Sequence, residues 1–282
     1  MQGEIQVADA AEIEEMVDWA AAEGWNPGIG DAAAYRATDP EGFLVSRDER
    51  GLSACISVVA YDDAFGFLGF YMVRPDRRGQ GLGKRIWDAG IARLGERCIG
   101  LDGVVAQQDN YRRSGFVYAH RNRRYAGVPA SRPAAALPEG CAILPVGPDL
   151  VPAVIAYDRA CFPAERTSFL VAWLASPRNA LALVEGDALR GYGVIRRCRD
   201  GHKIGPLMAD DGTAAAALFD ALAATVPGEK VVLDPPGTNE PAVRLAEERG
   251  LEPVFETARM YRGAPPELEI QRVFGITTFE LG

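Results

Sequence analysis

The segment Arg85-Ile86-Trp87-Asp88-Ala89-Gly90-Ile91-Ala92 has a counterpart 132 residues later in Ala217-Leu218-Phe219-Asp220-Ala221-Leu222-Ala223-Ala224. Leu101-Asp102 is matched by Leu233-Asp234 at the same offset. Tyr111-Arg112-Arg113-Ser114-Gly115-Phe116 aligns with Ala246-Glu247-Glu248-Arg249-Gly250-Leu251 at 135, and Arg124-Tyr125-Ala126-Gly127 with Met260-Tyr261-Arg262-Gly263 at 136. Alanine-rich helices look alike, so each match alone is weak. Four in one order at nearly constant offset mark a tandem duplication. The duplication requires both halves to reach the same fold, and 282 residues divide into two domains of ordinary size. Val128 to Gly140 holds three prolines and reads as the connection. The expected division is residues 1–127, a linker over 128–140, and residues 141–282.

Within the first half, periodicity predicts a strand over Glu4–Val7 and a helix over Ala10–Glu23, whose Ile13, Met16, Val17 and Ala20 share one face. Strands follow over Gly42–Arg47, Leu52–Tyr61 and Phe65–Val73. Next come a helix Leu82–Gly95, a strand Cys98–Val104, a short helix Gln108–Ser114 and a strand Phe116–Tyr125. Antiparallel strands succeeded by a strand–helix–strand unit imply a mixed α/β (α+β) domain, its largely antiparallel sheet flanked by helices.

Composition narrows the function classes. The acidic N-terminus lacks a basic segment followed by an apolar stretch, so no secretory signal is expected. The longest apolar run, Ala214 to Val226, is interrupted by Asp220 and too short to span a bilayer. The five cysteines (Cys55, Cys98, Cys141, Cys161, Cys198) are scattered and never in CxxC spacing, which points to reduced thiols in the cytoplasm. With His120 and His202 the only histidines, no His-rich metal site is expected. A net charge of −9 disfavours nucleic-acid binding.

Against that charge stands a local exception. Phe65 to Val73 reads as a strand, then a basic turn Arg74-Pro75-Asp76-Arg77 leads to Arg78-Gly79-Gln80-Gly81-Leu82-Gly83 and the start of a helix. Residues 74–85 hold Arg74, Arg77, Arg78, Lys84 and Arg85 against Asp76 alone. Glycines allow close backbone approach, and a helix N-terminus offers unpaired N–H groups at a positive dipole end. The loop therefore reads as a polyanion site. It lacks the GxxxxGK[ST] of nucleoside triphosphatases and does not follow a first βαβ unit as a dinucleotide loop would.

Strand, Arg-x-x-Gly-x-Gly spacing and helix together resemble the signature of the GNAT superfamily of acyl-CoA-dependent N-acetyltransferases, over roughly Ile5 to Tyr125. The resemblance implies that Met72, Val73, Arg78, Gly79, Gln80, Gly81, Leu82, Gly83 and Lys84 bind acetyl-CoA. It also implies that the Val73 N–H stabilises the thioester oxygen. Tyr111, four residues before Gly115-Phe116, matches the family's tyrosine that protonates the departing thiolate. The Asn and Ala that usually precede that tyrosine are replaced by Val104 and Gln107. The family's glutamate on the strand before the loop is missing, which leaves Asp102 as the candidate carboxylate. The resemblance further places the acceptor beside Glu23–Asp31, where Trp25, Asn26, Asp31 and the following Tyr35 are the candidate substrate residues.

In the second half, at the offset of 132, Arg78 becomes Asp210, Gly81 becomes Thr213 and Gly83 becomes Ala215. Asp210-Asp211 beside a helix start would repel pyrophosphate, so this half is expected to bind coenzyme A poorly. Ala246 stands where the tyrosine would be. The half would then wall the acceptor cleft or only brace its partner. The chain ends in a strand-like run, Arg272 to Glu280, that could complete either sheet; crossing to the first half would bring Glu280 near the site. The expected activity is acetyl transfer from acetyl-CoA to a small-molecule primary amine, with no nucleic acid, membrane or metal involved. A non-catalytic acyl-CoA sensor and a protein-amine acetyltransferase are the alternatives.

Overall fold

Strand Ile5–Val7 (β1) leads into helix Ala10–Ala22 (α1), which starts where Asp9 and Glu12 cap each other's backbone N–H groups reciprocally. A second helix, Asp31–Thr38 (α2), precedes strands Phe43–Asp48 (β2), Gly51–Ala60 (β3) and Phe65–Val73 (β4). Asp62 closes the β3–β4 turn by accepting from the N–H groups of Ala64 and Phe65. Helix Leu82–Leu94 (α3), strand Cys98–Val104 (β5), helix Gln108–Arg113 (α4) and strand Val117–Gly127 (β6) finish the first half. The computed structural model describes residues 4–130, 137 and 140–282, so most of the expected linker lies outside the described residues. The region around Asp31, read above as a recognition loop, is helical from Asp31 onward.

The second half repeats the order: Cys141–Pro145 (β7), Val151–Cys161 (α5), Thr167–Leu174 (α6), Asn179–Glu185 (β8), Ala188–Arg197 (β9), His202–Ala209 (β10), Gly212–Ala223 (α7), Val231–Leu233 (β11), Glu240–Glu248 (α8) and Glu252–Arg262 (β12). A short strand, Val273–Gly275 (β13), lies near the C-terminus. Among the described residues no helix is long and apolar enough to cross a membrane.

Among the described residues the strands form one continuous sheet, in the order β1-β2-β3-β4-β5-β12-β6-β11-β10-β9-β8-β7. The cause is an exchange of equivalent strands. β12, from the second half, pairs with β5 of the first from Thr257–Val104 to Arg262–Ile99. β6, from the first half, pairs with β11 of the second. The exchanged strands also pair with each other, which removes the edges that either half alone would expose.

Both faces of the sheet are covered, which explains why β3 is buried along most of its length rather than alternating. Cys55 and Val59 face a core shared with α1, α2 and the second half's Phe169, Trp173 and Tyr192. Tyr35 stacks on Trp173 there, with ring centroids 6.1 Å apart. Ile56 and Val58 face the opposite core, built from Ile86, Trp87 and Leu94 of α3. Each apolar side chain so buried contributes about 1.5–3 kcal/mol.

Candidate active site

β4 and β5 run parallel only from Phe65–Cys98 to Leu68–Leu101 and then part. The fork is produced by a bulge in β4. Ser57 pairs with Gly69 and Cys55 with Met72, so Phe70 and Tyr71 together oppose Ile56. Phe70 takes a left-handed backbone conformation, φ 46°, at a cost of order 1–3 kcal/mol. Beyond the bulge the N–H of Arg74 donates to Ser53 on β3. Strand alternation therefore turns the N–H of Val73 toward the side that β5 has left.

The fork opens a cavity of about 380 Å³. From the first half its lining includes Trp25, Met72, Val73, Arg78, Asp102 and Tyr111; from the second it takes Phe255 and Thr257 on β12, with Phe279 and Glu280 from the chain's end. Among the candidate acceptor residues, Trp25 alone reaches this cavity. Asn26 is bound to the second half instead: its amide donates to Asp200 O and accepts from Asp200 N–H, and its carbonyl accepts from Lys203 Nζ. Asp31 is fully buried and accepts from Gly28 N–H, Tyr35 Oη, Arg178 and Arg196. Burial pushes its carboxyl up, but Arg196, Arg178 and Lys203 outweigh that and hold it below the usual value. These three residues join the halves; they do not face the site. Their polarity was visible in the sequence, but the partner that consumes it lies some 170 residues away.

The basic loop sits at the mouth of the fork. Arg78 Nε donates to Val73 O at 3.0 Å, and its Nη2 pairs with Glu23 at 2.6 Å on the surface. Exposed ion pairs contribute little, so this one is exchangeable for a phosphate contact. Gly79 and Gly81 both have positive φ, 74° and 82°. Gly81 is the residue before α3, whose first N–H groups have no acceptor a turn earlier and no capping side chain. A Cβ on Gly83 would fall 2.7 Å from Tyr71 Oη, so a side chain there would displace the Tyr71 ring. Gln80 donates to Asp76 O, which fixes the turn.

The counted surplus of positive charge needs correction. Arg74 and Arg77 both pair with Asp48, at 2.7 and 2.6 Å, and Lys84 pairs with Asp88 at 2.5 Å. Hydrogen bonds from Arg74 hold the Asp48 carboxyl far below its usual range. A linear count of charge cannot register Asp48, which β2 brings in from 26 residues upstream. What remains for an anion is Arg78 and Lys84, each held only by an exposed ion pair, with the uncapped start of α3.

Tyr111 is buried on α4 and stacks on Trp87 with centroids 5.7 Å apart. Gly103 makes room for its ring, because a Cβ there would lie 2.2 Å from Tyr111 Cε2. Burial, with a smaller effect of Tyr71, lifts its phenol to about 12, so it holds its proton at neutral pH. Asp102 lines the cavity, yet its carboxylate is committed. Arg259 donates to both oxygens, at 2.9 and 2.6 Å, and Asn122 donates at 2.7 Å. Its oxygens are thus held by three hydrogen bonds from side chains on β6 and β12.

The second half's equivalent fork is closed. β13 pairs with β10 at Leu207 and Met208, in the gap beyond the parallel β10–β11 pairing. Asp211 caps α7 by accepting from Thr213 and Ala214 N–H, both at 2.9 Å, the groups that α3 leaves open. Asp210 accepts from Tyr157 Oη and pairs with Arg190 and Arg272. The terminal strand thus joins the second half, but the residues after it cross to the first. Tyr61 Oη donates to Leu281 O at 2.7 Å and Ser57 Oγ to Glu280 O at 3.4 Å.

The chain is similar to known proteins in sequence and in fold. The acetyltransferase (GNAT) family model matches residues 10–116, and an acetyltransferase (GNAT) domain model matches residues 154–275. The holothin acyltransferase of Pseudoalteromonas sp. (strain SANK 73390) is 33% identical over 267 residues, covering 94% of this chain and 90% of that protein. Among solved structures, a Pyrococcus horikoshii protein crystallised as a candidate acetyltransferase superposes with a TM-score of 0.80 at 21% identity, over 99% of this chain and 95% of the other. A tandem GNAT protein from the clavulanic acid biosynthesis pathway gives 0.65 at 16% identity, over 94% and 99%.

Proposed function

The chain belongs to the GNAT acyltransferase family, and from that premise we propose that it transfers an acetyl group from acetyl-CoA to the primary amine of a small molecule, at one site in its first half. The observation that carries the reading is the asymmetry between the two forks. One has an uncapped helix start, glycines at positive φ and an open cavity; the other is capped by Asp211 and filled by β13.

The loop residues fit a pyrophosphate: Arg78 as the cation, with the N–H groups of Gly79 to Lys84 as donors at the N-terminus of α3. Bound acetyl-CoA supplies an acyl group activated as a thioester. The Val73 N–H, free of β3, is the donor for the thioester oxygen. Tyr111, protonated and inside the cavity, is the proton source for the leaving sulfur. Trp25, Phe255 and Phe279 add aromatic surface to walls that also carry Leu68, Gln107 and Thr257, and a cavity of about 380 Å³ suits a small acceptor better than a protein chain. The relative acting on holothin makes holothin the first acceptor to assay.

Titration calorimetry with acetyl-CoA tests the one-site reading. One site per chain is expected, weakened at least tenfold in Gly81→Asp and unaltered in Thr213→Arg. Two sites would overturn it. Thiol release on adding holothin or another amine separates a transferase from a non-catalytic acyl-CoA sensor.

A further inference from the structure

We propose that Glu280, carried by the C-terminal tail of the second half into the first half's cavity, is the group that takes the proton from the acceptor amine; this rests on the acyltransferase reading above. β4, Phe65 to Val73, carries no carboxylate. Three carboxylates line the cavity. Glu23 sits at the exposed rim paired with Arg78, and Asp102 is locked by Arg259 and Asn122. Glu280 differs from both: the residue is 2% exposed, and its Oε1 has no hydrogen-bond partner among the described residues. A buried carboxylate oxygen without a donor is costly, and functional sites are where that cost is tolerated.

Its place is fixed by the chain around it. Leu281 N–H donates to Thr278 Oγ1, Tyr61 Oη holds Leu281 O, and Ser57 Oγ holds the Glu280 carbonyl. The Glu280 backbone passes directly over Gly69, where a Cβ would lie 2.2 Å from its carbonyl oxygen. Ser57 lies on the strand face of Cys55 and Val59, whereas Tyr111 packs with Ile56 and Val58 on the other face. The acid and the base thus approach the fork from opposite sides of the split sheet, which leaves the reacting carbonyl between them.

The surroundings tune the carboxylate. Burial raises its pKa; Lys203 on β10, Arg124 on β6 and Arg196 on β9 pull it down, and Asp31 on α2 raises it, with a net upward shift from 4.5. Tyr35 faces it from the same helix. An upward shift makes the carboxylate a stronger proton acceptor than a free glutamate. In the step, the amine nitrogen bonds to the acyl carbon and the carbon–sulfur bond breaks. One N–H proton passes to Glu280, and the sulfur takes the Tyr111 proton. Exchange through solvent then returns the proton from Glu280 to Tyr111, so amine and thioester become amide and thiol.

The test is Glu280→Gln, with Glu280→Asp beside it, assayed by thiol release from acetyl-CoA with holothin, benzylamine and aniline. Glu280→Gln is expected to lower kcat about 10²–10³-fold and to lose the acid limb of the kcat–pH profile, with acetyl-CoA affinity by calorimetry unchanged. Glu280→Asp keeps that limb at reduced rate. Thermal unfolding supplies a readout independent of turnover. A carboxyl with a raised folded pKa loses stability as pH rises from 4.5 through its folded value, so the variant's Tm advantage should grow across that window. Wild-type rate and profile in Glu280→Gln would overturn the inference alone, and loss of acetyl-CoA binding in it would make Glu280 structural. A wild-type chain that binds acetyl-CoA but releases no thiol with any of these amines overturns the transferase reading and this inference together.

Discussion

Asp102 and Asp234 stand at matched positions of the two halves, and each is gripped by an arginine from a strand of the other half. Arg259 on β12 holds Asp102 at 2.6 and 2.9 Å; Arg124 on β6 holds Asp234 at 2.8 Å through both oxygens. The second half has no open cofactor fork, yet it keeps this pair. The pair therefore locks the exchanged strands in both halves, whether or not the fork beside it is open. Removing one partner of such a buried pair leaves an uncompensated charge, which costs about 3–5 kcal/mol. Asp102→Asn and Asp234→Asn should both lose stability of that order in urea unfolding. Full stability in Asp102→Asn combined with a specific loss of turnover would restore Asp102 as the base. Both aspartates were legible as a repeated Leu-Asp; their partners were not, because an ion pair between residues more than 100 positions apart leaves no local pattern.

At the scale of elements, β4 carries most of the design. Its sequence, FGFLGFYMV, announces a strand and its bounds were readable from the pattern alone. The bulge at Phe70 and the reason for Gly69 were not, since both depend on what approaches from outside the strand. A glycine inside a strand signals a close backbone neighbour without naming it. Here the neighbour is the Glu280 peptide. Gly69→Ala should force the tail off the strand, costing about 1–3 kcal/mol by overpacking. Turnover should fall further than acetyl-CoA affinity, because the loop at α3 is untouched. A variant with wild-type melting temperature and turnover would refute this placement of the tail. The contrast between α3 and α7 was, by comparison, written locally. A cap is made within three residues of the helix start, so Asp211 and the glycines could be interpreted in place.

For the whole molecule, the exchange of β6 and β12 makes the halves inseparable. Residues 1–127 alone would leave β5 without its β12 partner and β6 without either of its partners, β12 and β11. Expressed separately, residues 1–127 and 141–282 should aggregate or remain poorly folded, and co-expression should recover a soluble complex that binds acetyl-CoA at one site. A soluble, acetyl-CoA-binding monomer of residues 1–127 would contradict the structural role assigned to the exchange. The same arrangement brings Phe255, Thr257, Phe279 and Glu280 into a cavity whose cofactor loop lies some 200 residues earlier.

The sequence alone determined what is local or repeated: the duplication, the first half's order of strands and helices apart from α2, the glycine loop at a helix start, Tyr111 before Gly115-Phe116, and the loss of that loop from the second copy. Periodicity, caps and turns act within a few residues, so they can be read one segment at a time. Tertiary structure decided how the copies share their sheet, which charges are spent on ion pairs, that Asn26, Asp31 and Tyr35 serve the interface, and that the last residues wall the site. Those outcomes turn on burial and pairing between distant segments, where a charge or a glycine takes its meaning from the neighbour that folding brings to it.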